Sequence, residues 1–226
     1  MTCPPGITIE AATPAALGDD AGFWQLYATS FAAAEREPAE VILRSIEQGP
    51  GFTLRALADG RTVGLATGHV LEEPAATFLV YLAVDPAWRS RHLGSALFDA
   101  TDRCGAARLI ERSRVTSGIA WEIDDPAADV SPSEGNVRQG RLRFFEKLGG
   151  RMLETPYVQP PVDGHTLVPM RLMFRPAVGR ELPTGAATEQ LIRAIYFEKY
   201  HAINKIPSST LELLVANMRA RTSPTS

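Results

Sequence analysis

The stretch DPAWRSRHLGSALFDA (85–100) follows an apolar run, TFLVYLAV (77–84), and brings Arg89, Arg91, His92, Leu93, Gly94, Ser95 and Ala96 together within a few residues. Backbone amides at a helix start bind anions, and small side chains let a phosphate reach them. The run before this stretch has the character of a strand buried on both faces. Leu93, Leu97, Ala100 and Cys104 then recur at helical spacing. Two readings fit a strand that turns into a helix here. In one the turn cradles a phosphate, with Arg89 and Arg91 adding positive charge and Gly94 allowing close backbone approach. In the other it is a tight turn with solvated arginines.

The remaining reactive side chains form no comparable group. His69, His92, His165 and His201 are scattered, and Cys3 and Cys104 lack metal-ligand spacing. Neither a metal site nor a disulfide framework is expected. The chain has 226 residues, 45% hydrophobic and 22% charged, enough for one sizeable domain with an appendage. A net charge of -3 and a pI near 5.9 argue against nucleic acid as the main partner. The first twenty residues have no basic start or apolar core, so no signal peptide is expected. No apolar run approaches the ~20 residues of a membrane span, and a cytoplasmic address is the expectation.

The elements that must position the 85–100 stretch are legible in outline. A strand is predicted at 7–11, a helix at 21–34, and a second helix through Val41 and Ile46 that stops at Gly49-Pro50-Gly51. Strands at 52–58 and 62–71 meet through Asp59-Gly60, a strong hairpin signal. After the strand at 77–84 come a helix at 93–104, a strand at 115–123 and a polar loop at 124–140. The segment RLRFFEKLGG reads as a helix capped at Gly149, followed by strands at 152–158 and 167–174. This order predicts an α/β (α+β) mixed sheet with one crossover directly after the central strand. Composition shifts over 175–185, dividing a domain at 1–178 from a helical extension at 179–226. The extension's helices, at 187–203 and 209–221, must dock on the domain or on a partner, since Leu211, Leu214, Val215 and Met218 make an apolar face.

Two segments resemble the GNAT superfamily of N-acetyltransferases. Arg91-His92-Leu93-Gly94-Ser95-Ala96 matches that family's Gln/Arg-x-x-Gly-x-Gly/Ala turn, and Arg143-Phe144-Phe145-Glu146-Lys147-Leu148-Gly149-Gly150 is similar to its aromatic helix. The order of elements agrees over roughly 7–175, and the tail has no counterpart in the common core. The resemblance implies the GNAT acyl-CoA N-acyltransferase fold with a C-terminal helical extension, and acetyl-CoA as co-substrate. By that likeness the amides of 91–96, with Arg89, would hold the pyrophosphate. Backbone groups of Leu82, Ala83 and Val84 would hold the pantetheine arm. Phe144 and Phe145 would pack beside the cofactor or serve as core.

The implied reaction is direct attack of a primary amine on the thioester in a ternary complex, which calls for a base. Glu122 in IAWEIDD is the first candidate, on the face of its strand opposite Trp121; an ordinary ion pair is the other reading. Glu72 and Glu73 are weaker candidates, and Glu35, Arg36 and Glu37 lie at a joint that commonly walls the acceptor site. The sequence departs from the family at Phe145, where many members carry a tyrosine that protonates the leaving thiolate. The acid would then be Tyr81, Tyr157 or a water, or there would be none. The alternative is a non-catalytic acyl-CoA-binding or interaction module on the same fold. Dimers are common in the family, which adds a homodimer to the expectations. The acceptor amine is left open.

Overall fold

Asp59 and Gly60, at φ 47° and 74°, fold β2 (Gly51–Ala58) back onto β3 (Arg61–Leu71). The computed structural model in which this is seen describes residues 4–128 and 130–222, and Cys3 lies outside them. β1 (Ile7–Ala11) joins the free edge of β2, and β4 (Ala76–Val84) joins β3, all antiparallel. A right-length crossover, α4 (Leu93–Glu111), returns the chain to β5 (Gly118–Asp124), which pairs parallel with β4. β8 (Val168–Pro176) lies antiparallel to β5, and its outer edge takes both β6 (Arg151–Met152) and β7 (Tyr157–Gln159). The sheet order is β1-β2-β3-β4-β5-β8-β6.

Helices cover both faces. On one, α4 and α5 (Pro132–Lys147) pack through Leu97, Phe98 and Phe145 on Leu79, Ile119 and Trp121. On the other, α1 (Pro14–Gly18), α2 (Ala21–Ser30) and α3 (Ala39–Glu47) surround Leu65, Tyr81 and Ala83. A 3-10 turn, Ala33–Glu35, forms the joint between α2 and α3. Beside them lie α6 (Ala186–Ala194), a π-helical turn (Ile195–His201) and α7 (Ser208–Thr222). These C-terminal elements share one apolar core with Phe78, Ala120, Leu172 and Phe174 of the sheet. No helix among the described residues is long and apolar enough to cross a membrane.

The register of β3 and β4 steps from Thr67↔Tyr81 to Gly68↔Leu79, so Val80 is an extra, bulged residue. The bulge resets the alternation of β4. Ala76 and Phe78 face the C-terminal helices, Tyr81 and Ala83 face α2 and α3, and Leu79, Leu82 and Val84 face α4. Pairing of β4 with β5 ends just there, at Leu79↔Trp121. Beyond that point the two strands part.

The structure corrects several boundaries. The polar stretch 124–140 is not all loop, because α5 starts at Pro132: Ser131 Oγ accepts from Glu134 N–H at 3.4 Å, and Arg138 pairs with Glu134 one turn on. Phe145 is the one buried residue of α5, so its first turns carry no apolar stripe to detect. Helix α4 runs past Cys104 to Glu111 because Gly105 lets it close on Thr77, whose Oγ1 a Cβ would meet at 1.9 Å. The strand expected at 152–158 is two short pieces, β6 and β7.

The extension is fastened by a buried charge pair. Lys199 Nζ donates to Glu37 Oε1 at 2.5 Å and to Asn204 Oδ1 at 2.8 Å, and both charged side chains are 2% exposed. Lys199→Met should therefore cost about 3–5 kcal/mol, because it leaves Glu37 buried without its cation. Guanidinium unfolding would measure the loss, and the Glu37→Leu/Lys199→Met double variant should recover most of it. A loss below ~1 kcal/mol in the single variant would contradict the pair's burial.

Candidate active site

Where β4 and β5 part they leave a cleft of about 890 Å³, closed by the 89–95 segment, α5 and the joint after α2. One edge of β4 beyond Leu79 faces this cleft without a strand partner, while β3 holds the other. Backbone polar groups of 80–84 are thus available to a ligand.

At one end of the cleft lies the start of α4. Ser90 and His92 adopt left-handed conformations (φ 60° and 61°), which wrap the turn so that α4 begins without any side-chain cap. The first-turn amides of Leu93, Gly94 and Ser95 have no intrahelical acceptors, and the helix dipole adds positive potential. Gly94 faces the ring of Phe144: a Cβ here would lie 3.3 Å from Phe144 Cζ and 3.8 Å from Val84 Cγ2. Arg89 lies at the cleft and donates through Nε to Val84 O at 3.3 Å.

Leu82, Ala83, Val84, Arg89, His92, Leu93, Gly94, Ser95, Phe144 and Phe145 all line the cleft. Arg91 and Ala96 do not. The Arg91 guanidinium lies over the Trp88 ring, 5.0 Å from its centroid, and Ala96 is buried beneath the helix. Phe145 is mostly core, its ring 4.8 Å from Trp121 and 5.7 Å from Phe98. Phe144, half-buried, is the aromatic face that the cleft presents.

The other end is acidic. Glu122 reaches the cleft from β5 on the face opposite Trp121. Its carboxylate accepts from Tyr157 Oη at 2.5 Å, Gln159 Nε2 at 2.9 Å and Tyr200 Oη at 2.9 Å. Burial pushes Glu122 up to about 7; the three donors oppose this and the charge of Glu37 adds to it. The Tyr157 and Tyr200 phenols are pushed well up, chiefly by burial, so both remain protonated donors. Glu35 is raised as well, by burial first and then by Asp124. Asp124 is hydrogen-bonded by Arg141, and all three line the same end.

Other candidates have different places. Tyr81 Oη donates to Glu35 O at 2.7 Å and accepts from Glu37 N–H at 2.9 Å, so its proton fastens the joint. Tyr27 Oη adds a bond to Glu37 O at 3.0 Å. Glu72 and Glu73 pair with Arg112 and Arg114 at the surface, away from the cleft. His69 is buried beside Ser45, and no metal-binding group of side chains occurs among the described residues.

Sequence reasoning missed Gln159, Lys199 and Tyr200. The only local trace was the polar-aromatic run YFEKYH inside an otherwise amphipathic helix. It coincides with the π-helical turn, a distortion often found at functional sites.

Residues 21–114 match the model of the acetyltransferase (GNAT) family. A protein assigned to that family from Bacteroides thetaiotaomicron superposes with a TM-score of 0.63 at 19% identity, covering 88% of this chain and 99% of its own. Arabidopsis thaliana NAA60, solved with acetyl-CoA, gives a TM-score of 0.56 at 14% identity over 76% of this chain and 99% of its own. A GNAT-family acetyltransferase from Staphylococcus aureus gives 0.52 at 14% identity, over 75% and 98%. At these identities the likeness establishes the fold. No sequence among the functionally curated proteins matches the chain.

Proposed function

We propose that this chain belongs to the GNAT superfamily and is an acetyl-CoA-dependent N-acetyltransferase that moves an acetyl group to a primary amine by direct attack in a ternary complex. One observation carries the reading: a single cleft joins the uncapped start of α4 to the buried carboxylate of Glu122. Acetyl-CoA supplies the activated acetyl group. The first-turn amides of α4 and Arg89 suit its pyrophosphate, the unpaired edge of β4 suits its amide-bearing arm, and Phe144 with Val84 lines the path between. Glu122 takes the proton that the acceptor nitrogen must lose to free its lone pair, and the second N–H proton leaves the tetrahedral adduct to solvent as the thiolate departs. Glu35 and Asp124, at the same end, favour an acceptor that arrives as a cation. Tyr81 serves by holding the joint, and the thiolate, a fair leaving group with a free pKa near ~8.5, departs without a side-chain acid. Acceleration comes mainly from holding the two reactants together.

The test is release of free coenzyme A thiol from acetyl-CoA over a panel of primary amines. Turnover should rise with pH through an acid limb near pH 7, because Glu122 acts as base only once deprotonated, and its carboxyl ionises at about 7. An activity already flat between pH 5.5 and 8 would exclude this carboxylate as the base. The second reading, an acyl-CoA-binding module without turnover, is favoured by Phe145, which has no proton to give, and by the engaged hydroxyls of Tyr81 and Tyr157. Tight acetyl-CoA binding with no thiol released from any amine would select it.

A further inference from the structure

The face of β5 that carries Glu122 is covered by the C-terminal extension, while α4 and α5 pack on the opposite face. Within the π-helical turn two adjacent residues diverge to the two walls of the acceptor end. Lys199 reaches Glu37 at the joint, and Tyr200 reaches Glu122 on β5. Three further contacts hold this turn and the residues just after it in place. Arg44 Nη1 of α3 donates to Ile203 O at 2.9 Å, Tyr196 Oη donates to Val158 O at 2.7 Å, and the Tyr200 ring meets Phe78 edge-on at 6.2 Å.

We propose that the extension is part of the catalytic apparatus, with Tyr200 as the positioning residue that holds Glu122 ionised and aimed into the cleft. The assignment rests on Glu122 being the base. Tyr200 Oη lies 2.9 Å from both carboxylate oxygens, so its one proton is shared across the carboxylate and fixes the plane of the group. Tyr157 and Gln159 of β7 hold one oxygen each. Because Gln159 directs its Nε2 at Glu122 and Tyr200 is a buried, protonated phenol, the network presents donors alone to the carboxylate. The titratable groups facing Glu122 are Tyr157 of β7, Tyr196 and Tyr200 of the π-helical turn, and Glu37 of the joint, whose charge Lys199 matches. Glu35, Asp124 and Arg141 line the same end of the cleft. Of the three side chains that donate to Glu122, Tyr200 is the one that comes from the extension.

Tyr200→Phe removes one of three charge-assisted donors and keeps the ring. The acid limb of kcat/KM should move up by about one pH unit, a loss of roughly fivefold at pH 7 that disappears on the alkaline plateau. A purely structural role would lower the plateau and leave the limb in place. Tyr196→Phe, which removes a hydroxyl bonded to Val158 O, should leave the limb unmoved. The same shift is readable without turnover, by carbon NMR of glutamate-labelled full-length protein, with the Glu122 resonance assigned through Glu122→Gln. Should Tyr200→Phe not fold, the isosteric 3,5-difluorotyrosine at 200 is a stronger donor and should move the Glu122 midpoint down. A Glu122 midpoint unmoved by both replacements overturns the proposal. A midpoint that moves while the rate limb stays put refutes Glu122 as the base, and with it the catalytic role of Tyr200. Both moving together supports both.

Discussion

Glu122→Gln should lower kcat/KM for amine acetylation by roughly 10²–10⁴-fold, the usual contribution of a positioned general base. Acetyl-CoA affinity should not change, because Glu122 stands at the end of the cleft away from the first turn of α4, where the pyrophosphate is proposed to bind. The substitution is nearly isosteric, and Tyr157 and Tyr200 can each turn a hydroxyl to suit an amide, so the fold should survive. The variant should also lose the acid limb near pH 7, since the group that ionises there is gone. Steady-state rates across pH, with calorimetric titration of acetyl-CoA, would check both halves. A variant within threefold of the parent at every pH would remove Glu122 from the chemistry.

Gly94→Glu should abolish acetyl-CoA binding, on the order of 100-fold or more, about 2.7 kcal/mol. Three effects act in one direction. The new carboxylate at the first turn of α4 competes for the amides that would hold a pyrophosphate. Its charge repels the same anion across a short distance. Its Cβ, 3.3 Å from Phe144 Cζ, presses on the half-buried aromatic wall of the cleft. The backbone of Gly94 is ordinary helix, and a side chain there points to the cleft, so the sheet and α4 should remain intact. Circular dichroism and melting would establish the fold before titration. Binding unchanged in a folded variant would mean that no anion sits at this turn, and the proposed acetyl transfer would fall with it. Parallel loss of binding and activity, beside a Glu122→Gln variant that binds but does not turn over, would separate the two ends of the cleft.

The features that the sequence determined by itself are those set by near neighbours. Asp59-Gly60 dictates its hairpin because residues at positive φ must sit there. The near-continuous apolar run at 77–84 reads as a buried strand, and the small, basic residues after it mark the turn into a helix. Glu122 could be assigned to the face opposite Trp121 by strand alternation alone. Even α5, misread as loop over 132–140, held its signal locally in Ser131, Pro132 and Glu134, hidden by two glycines and by the lack of an apolar stripe.

What only the tertiary structure decided depends on groups far apart in the chain. The bulge at Val80 arises from the register of β4 on β3, and it is where β4 leaves β5 and the cleft begins. The partners of Glu122 lie 35, 37 and 78 residues away, and Lys199 meets Glu37 across 162. No periodicity encodes such pairings, because a tyrosine on a helix reads as core until the opposing surface is known. Here that surface is the polar end of a sheet, and burying it against the extension requires every donor to find an acceptor. The extension, a pair of amphipathic helices in sequence, thus becomes a wall of the site once it is folded.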